Sequence, residues 1–169
     1  SGDPIWIYRA KNSIGNRNIA FGDGRIFLVD ETSFEKREKA RRLGKEIDTE
    51  CTLVALDLNS GRELWRRENI PVMEPFDVHL QYSDGIVLWG GRTAYDAQSG
   101  EKLWEREIYS GRLPLIHGDW IIAQPYAYSL RTGEIRTVFD SLTAMERPWK
   151  FVRAYGCGSV IGCRNMLYF

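Results

Sequence analysis

Two histidines, His79 and His117, are the side chains best suited to proton transfer near neutral pH. They occupy "DVHLQY" and "LIHGDW". A lone histidine in such a setting reads as a hydrogen-bonded structural residue. The matching positions of the two, each before a strand–turn–strand pattern, point to a repeat feature. Hard oxygen ligands are available at Asp77, Asp84, Asp119 and Asp140, but none stands at a calcium-loop spacing. Asp84 in Ser-Asp-Gly and Asp119 in His-Gly-Asp read as turn formers. There is no Gly-x-Ser-x-Gly nucleophile elbow. "YGCGSVIG" lacks the Lys-Ser/Thr ending of a phosphate loop. Arg153, Tyr155 and Cys157, ahead of that Gly-rich turn, either line a channel mouth or belong to a strand. The three cysteines, Cys51, Cys157 and Cys163, include no Cys-x-x-Cys pair, which argues against a zinc knuckle or a thioredoxin-type site. Cys157 and Cys163 lie six residues apart. They are either a disulfide across a hairpin in an oxidising compartment or two reduced, partly buried thiols.

Whatever positions these groups must come from an ordinary-sized domain. The chain has 169 residues, enough for a real core. Lys+Arg and Asp+Glu are 23 each, so no net charge favours a nucleic-acid or anionic-membrane partner. No apolar run approaches the ~18 residues of a membrane-spanning helix. The chain is rich in glycine (16), tryptophan (6) and tyrosine (8), a mixture that suits short strands joined by tight turns.

A repeat decides the architecture. One copy reads Ala55-Leu-Asp57-Leu-Asn-Ser-Gly61-Arg-Glu-Leu-Trp65. A second reads Ala94-Tyr-Asp96-Ala-Gln-Ser-Gly100-Glu-Lys-Leu-Trp104. A third, weaker copy keeps Ala127 and Gly133 but has Ser129 for Asp and Thr137 for Trp. The step is 39 residues, then 33, a period expected of a stacking supersecondary unit. Around each copy lie strand-like runs. "RIFLVD" (25–30) follows Gly-Asp-Gly, and "IVLWGG" (86–91) follows Ser-Asp-Gly. "LVALDL" and "RELWRRE" flank the first Ser-Gly turn, and the third unit repeats the pattern in "IHGDWIIAQPYAYSL". About four strands per unit at this period describe a β-propeller blade.

Within the motif each residue has a physical task. Asp caps the turn with its carboxylate. Gly61 and Gly100 are expected to supply the positive φ of a two-residue hairpin turn. Ala leaves room for a large flat group, and Trp is that group. The pattern Ala-x-Asp-x-x-Ser/Thr-Gly-x-x-x-Trp resembles the tryptophan-docking motif of quinoprotein-type, PQQ-like β-propellers, over most of the chain. The resemblance implies an all-β propeller of four-stranded antiparallel blades. Blades are expected at 17–70, 71–109 and 110–140, with partial blades at 1–16 and 141–169. It further implies that Ala55, Asp57, Gly61, Trp65, Ala94, Asp96, Gly100, Trp104, Ala127 and Gly133 form blade-to-blade contacts. Gly2 precedes Trp6 by the same interval as Gly61 precedes Trp65, so "SGDPIW" reads as the back half of another copy. On this view the chain is a portion of a larger ring, with a closed four-bladed ring as the alternative.

The catalytic members of the resembled family hold a quinone over calcium, often with a vicinal Cys-Cys pair. No adjacent cysteines occur here. The resemblance therefore implies a non-catalytic scaffold or binding platform, extracytoplasmic in a bacterium, whose partners are further blades or another protein chain. The alternative it leaves is a segment of a PQQ- and calcium-dependent dehydrogenase with its ligands on other blades. The charged stretch 31–50 and the final "PWKFVRAYGCGSVIGCRNMLYF" also resemble a subset of such repeat proteins from planctomycete-type bacteria.

The charged stretch itself predicts a helix near 33–43. Thr32-Ser33-Phe34-Glu35 fits a capping box and Gly44 a C-terminal cap. Glu35–Lys39 and Glu38–Arg42 have i,i+4 spacing. Lys36, Arg37, Lys39, Arg41, Arg42 and Lys45 cluster there, but acids are interspersed, so the helix reads as a solvated decoration rather than a basic recognition helix.

Overall fold

The computed structural model describes residues 2–74, 79–108, 113–151, 160–164 and 166–168. Two complete four-stranded antiparallel sheets stand in sequence order. The first is β1 (Ile19–Gly22), β2 (Arg25–Glu31), β3 (Cys51–Asp57) and β4 (Glu63–Arg67). The second is β5 (Leu80–Ser83), β6 (Ile86–Trp89), β7 (Thr93–Asp96) and β8 (Lys102–Glu105). Their inner hairpins turn at Asp23-Gly24 and Asp84-Gly85, all four residues having positive φ, as the primed hairpin turns that match strand twist require. The fold is an all-β propeller arc of antiparallel blades, with one short helix among the described residues.

The third sheet departs from the pattern. It holds β9 (Leu115–His117), β10 (Trp120–Ala123) and β11 (Tyr126–Ser129), and its fourth strand is discontinuous. Ile135 bridges Tyr128, and the Arg136 amide donates to the Ala127 carbonyl at 2.8 Å. The chain then leaves as a separate hairpin, β12 (Thr137–Asp140) with β13 (Met145–Pro148). It returns to the same edge, where Lys150 bridges Tyr126 and the Phe151 amide donates to the Pro125 carbonyl at 3.0 Å. The blade boundary expected at 140 thus falls inside a hairpin. A last pair, β14 (Ile161–Cys163) with β15 (Met166–Tyr168), begins another sheet beside β9.

Both faces of the first two sheets are buried, which explains the near-continuous apolar runs of their middle strands. Phe27, Val29, Leu53 and Ala55 pack with Val87, Trp89, Tyr95 and Ala97 between the first two sheets. Leu88, Ala94 and Trp104 pack with Ile121, Ala123 and Leu130 between the second and third. The remaining face of the first sheet, with Leu28, Val54 and Leu56, is covered by Trp6, Tyr8 and Ile14 of the N-terminal arm.

The helix α1 (Phe34–Arg42) is inserted between β2 and β3. Its N-cap is Ser33, one residue later than the expected Thr32, because the Ser33 hydroxyl accepts from the Lys36 amide. Thr32 serves elsewhere, its hydroxyl accepting from the Glu50 amide at 3.1 Å. The ion pair that forms is Glu38–Arg41, at i,i+3 and 2.8 Å. Gly44, at φ +64°, closes the helix in a Schellman arrangement: Gly44 and Lys45 amides donate to the Arg41 and Ala40 carbonyls.

Candidate functional site

The repeated motif forms three equivalent contacts between neighbouring elements. Trp6 donates its indole N–H to the Leu58 carbonyl at 3.0 Å, Trp65 to Ala97 at 3.1 Å, and Trp104 to Leu130 at 2.9 Å. Each acceptor lies three residues before a motif glycine. The ring lies against that glycine: a Cβ on Gly61 would stand 2.5 Å from Trp6, on Gly100 2.6 Å from Trp65, and on Gly133 2.8 Å from Trp104. No other residue fits this seat, since all three glycines also have φ between +67° and +72°. On its own sheet Trp65 pairs with Ala55 and Trp104 with Ala94. Ala55, Ala94 and Ala127 are fully buried. Gly2 is exposed with open space around it, so the resemblance of "SGDPIW" to the motif rests on Trp6.

The turn that presents the acceptor is longer than the expected two residues. Asp57 and Arg62 close a loop of residues 58–61, in which the Gly61 amide donates to the Asp57 carbonyl at 2.9 Å. In the first two copies a carboxylate braces this loop. Asp57 Oδ1 accepts from the Asn59 and Ser60 amides and from the Ser60 hydroxyl. Asp96 repeats this with Gln98 and Ser99. Both carboxyls are held below the ordinary carboxylate value, Asp57 chiefly by the Ser60 hydroxyl and Asp96 chiefly by the Ser99 amide. In the third copy Ser129 Oγ accepts from the Thr132 amide at 3.2 Å, and the Gly133 amide still donates to the Ser129 carbonyl. The loss of Asp therefore leaves the loop shape intact.

Two features escaped the sequence reading. The first is an arginine two residues beyond Trp65 and Trp104. Arg67 donates to the Gly100 and Ser99 carbonyls at 2.6 and 2.9 Å, clasping the turn that Trp65 covers. Arg106 lies with its Cγ against Gly133. The signal was present in "WRRE" and "WERE". The second is Asp30, a buried carboxylate that accepts from three successive amides, Lys11 at 2.6 Å, Asn12 at 2.9 Å and Ser13 at 3.1 Å. Glu50 holds the same loop through Lys11 Nζ and Asn12 Nδ2. This clamp fixes the N-terminal arm on the first sheet. No local pattern announces it, because its partners are backbone groups 17 to 19 residues away.

The candidate chemical groups are dispersed. His79 is buried just before β5, whereas His117 ends β9 and pairs with Trp120. In the blade register His117 matches Ser83, which pairs with Ile86, so the histidines are not repeat equivalents. Asp84 ion-pairs with Arg131, and Asp119 lies 3.7 Å from the same guanidinium. Asp140 takes Arg147 at 3.0 Å and the Leu142 amide. These three carboxylates are engaged by cations and do not converge as a calcium cage. Asp77, Arg153, Tyr155 and Cys157 lie outside the described residues, and with Cys157 the expected Cys157–Cys163 bridge. Cys163 is exposed on β14. Cys51 is buried between the first two sheets, its thiol 3.8 Å from the Pro71 carbonyl, and desolvation pushes that thiol up to about 12. Among the described residues, no helix is long and apolar enough to cross a membrane.

No family model and no curated protein matches the chain. Among solved structures it is similar to BamB from Moraxella catarrhalis, at 18% identity and a TM-score of 0.47, over 83% of this chain and 38% of that one. It is also similar to a europium-containing methanol dehydrogenase, at 16% identity and a TM-score of 0.38, over 68% of this chain and 22% of that one. The chain thus spans well under half the length of either.

Proposed function

We propose that the chain is a non-catalytic propeller scaffold, a portion of a larger ring that serves as a binding platform in the bacterial cell envelope. The observation that carries this reading is the threefold repetition of one contact. Trp6, Trp65 and Trp104 each bond a carbonyl three residues before a glycine. A device repeated at every sheet boundary is what rigid stacking needs, whereas a catalytic centre needs different groups brought to one place. The extracytoplasmic placement and the planctomycete-type affinity belong to this proposal and rest on the motif resemblance, the charged insertion and the C-terminal stretch.

The competing reading is a dehydrogenase segment whose quinone and calcium ligands lie on other blades. A dye-linked alcohol-oxidation assay separates the two, run on the full-length protein with added quinone and calcium. The scaffold reading expects no turnover above the protein-free control. Quinone-dependent turnover would overturn it.

A further inference from the structure

In sequence, the third repeat carries Thr137 where the first two carry tryptophan. The hydrogen-bond register places another residue there. In the second sheet the Arg106 amide donates to Arg92 at 2.9 Å, Glu105 pairs with Thr93, and Trp104 pairs with Ala94. In the third sheet the Phe151 amide donates to Pro125 at 3.0 Å and Lys150 bridges Tyr126. Counting on by one residue sets Trp149 opposite Ala127. On the other side, Arg136 already bonds Ala127, and the Trp149 amide donates to the Arg136 carbonyl at 2.7 Å. The fourth strand therefore runs Ile135, Arg136, Trp149, Lys150, Phe151, with the twelve residues 137–148 looped out as the β12–β13 hairpin. Thr137 is exposed and pairs with Pro148 in that hairpin, so it cannot occupy the seat.

We infer that Trp149 is the docking tryptophan of the third blade, displaced in sequence by an inserted hairpin, and that its partner is a further blade of the same kind. The sheet face beneath it agrees. Phe27 pairs with Ala55 and Leu88 with Ala94 on the faces that meet the next sheet. Ile122 pairs with Ala127 in the same way, and both are buried. The next sheet has its start in place: β14 runs beside β9 as β5 runs beside β1. A glycine meets a ring at both boundaries, with the roles exchanged: Gly22 of β1 lies against Tyr82 of β5, and Gly162 of β14 against His117 of β9. The acceptor is a carbonyl three residues before a glycine, in the turn after the third strand of the sheet that β14 and β15 begin. This deepens the stacking part of the proposed function and is independent of whether any blade is catalytic.

The test uses the full-length protein and three variants. One excises residues 137–148, joining Arg136 to Trp149; the others are Trp149→Ala in the intact and in the excised chain. The inference expects the excised protein to fold with a midpoint within a few degrees of the parent. It expects Trp149→Ala to lower the midpoint in both backgrounds, and the Trp149 indole N–H to exchange as slowly as that of Trp104. An excised chain that does not fold, or a Trp149→Ala change without effect, would overturn it. So would an indole N–H that exchanges at the free rate. Protection that appears only with rising protein concentration would seat a second copy there and also overturn the assignment. None of these readouts depends on alcohol oxidation, so failure here and failure of the scaffold reading are told apart.

Discussion

Gly100 carries two constraints at once, a φ of +72° and an indole ring on the side where a Cβ would go. Gly44 carries only the first: its φ is +64° and the space beside it is open. The comparison isolates the docking contribution. Gly44→Ala is expected to cost about 1 kcal/mol, from the left-handed backbone alone. Gly100→Ala adds an overpacking cost of about 1–3 kcal/mol, because the Trp65 ring must move. Urea unfolding of both variants checks the order. Asp57 and Asp96 make a second residue-level prediction. Their carboxyls are depressed below the ordinary value of 3.8. Their contribution is therefore full above that value and is lost as pH falls through the lower folded value, where the unfolded chain binds more protons. Stability should fall on acidification below about pH 4, and fall less steeply in the double variant Asp57→Asn, Asp96→Asn. Denaturant midpoints at pH 7 and pH 3 measure this.

Strands and their order were legible because apolar runs and Asp-Gly or Ser-Gly turns recur at similar steps of 39 and 33 residues. The motif residues were legible for the same reason, since a local pattern repeated in line needs no knowledge of the fold. What failed to show was anything that depends on register across distance. The two histidines look equivalent in sequence, yet pairing puts His117 level with Ser83. The third outer strand reads as ending near residue 140, because a hairpin splits it and its two pieces are not neighbours in sequence. The helix was found, but its cap moved by one residue and its ion pair formed at i,i+3. The reason is local competition: Ser33 reaches the Lys36 amide while Thr32 is taken by the Glu50 amide. Asp30 went unseen as a clamp because backbone amides leave no signature in side-chain identity.

At the scale of the whole molecule, the sheets meet through apolar faces that are mutually exchangeable in character, and the tryptophans supply the specific fit. Trp104 is nearly fully buried and ties the second sheet to the third by both its ring and its N–H. Nearest-neighbour coupling of this kind makes cooperativity depend on each boundary. Removing a buried tryptophan side chain costs about 3–5 kcal/mol. The most direct measurement is residue-resolved hydrogen exchange under increasing denaturant on the parent and on Trp104→Ala. The parent is expected to lose protection in β6, β7, β10 and β11 together. In Trp104→Ala, β10 and β11 should open first, at lower denaturant, while β2, β3, β6 and β7 keep their protection. A variant whose third sheet opens together with the first two, at the parent's midpoint, would contradict the claim that tryptophan docking holds one sheet to the next.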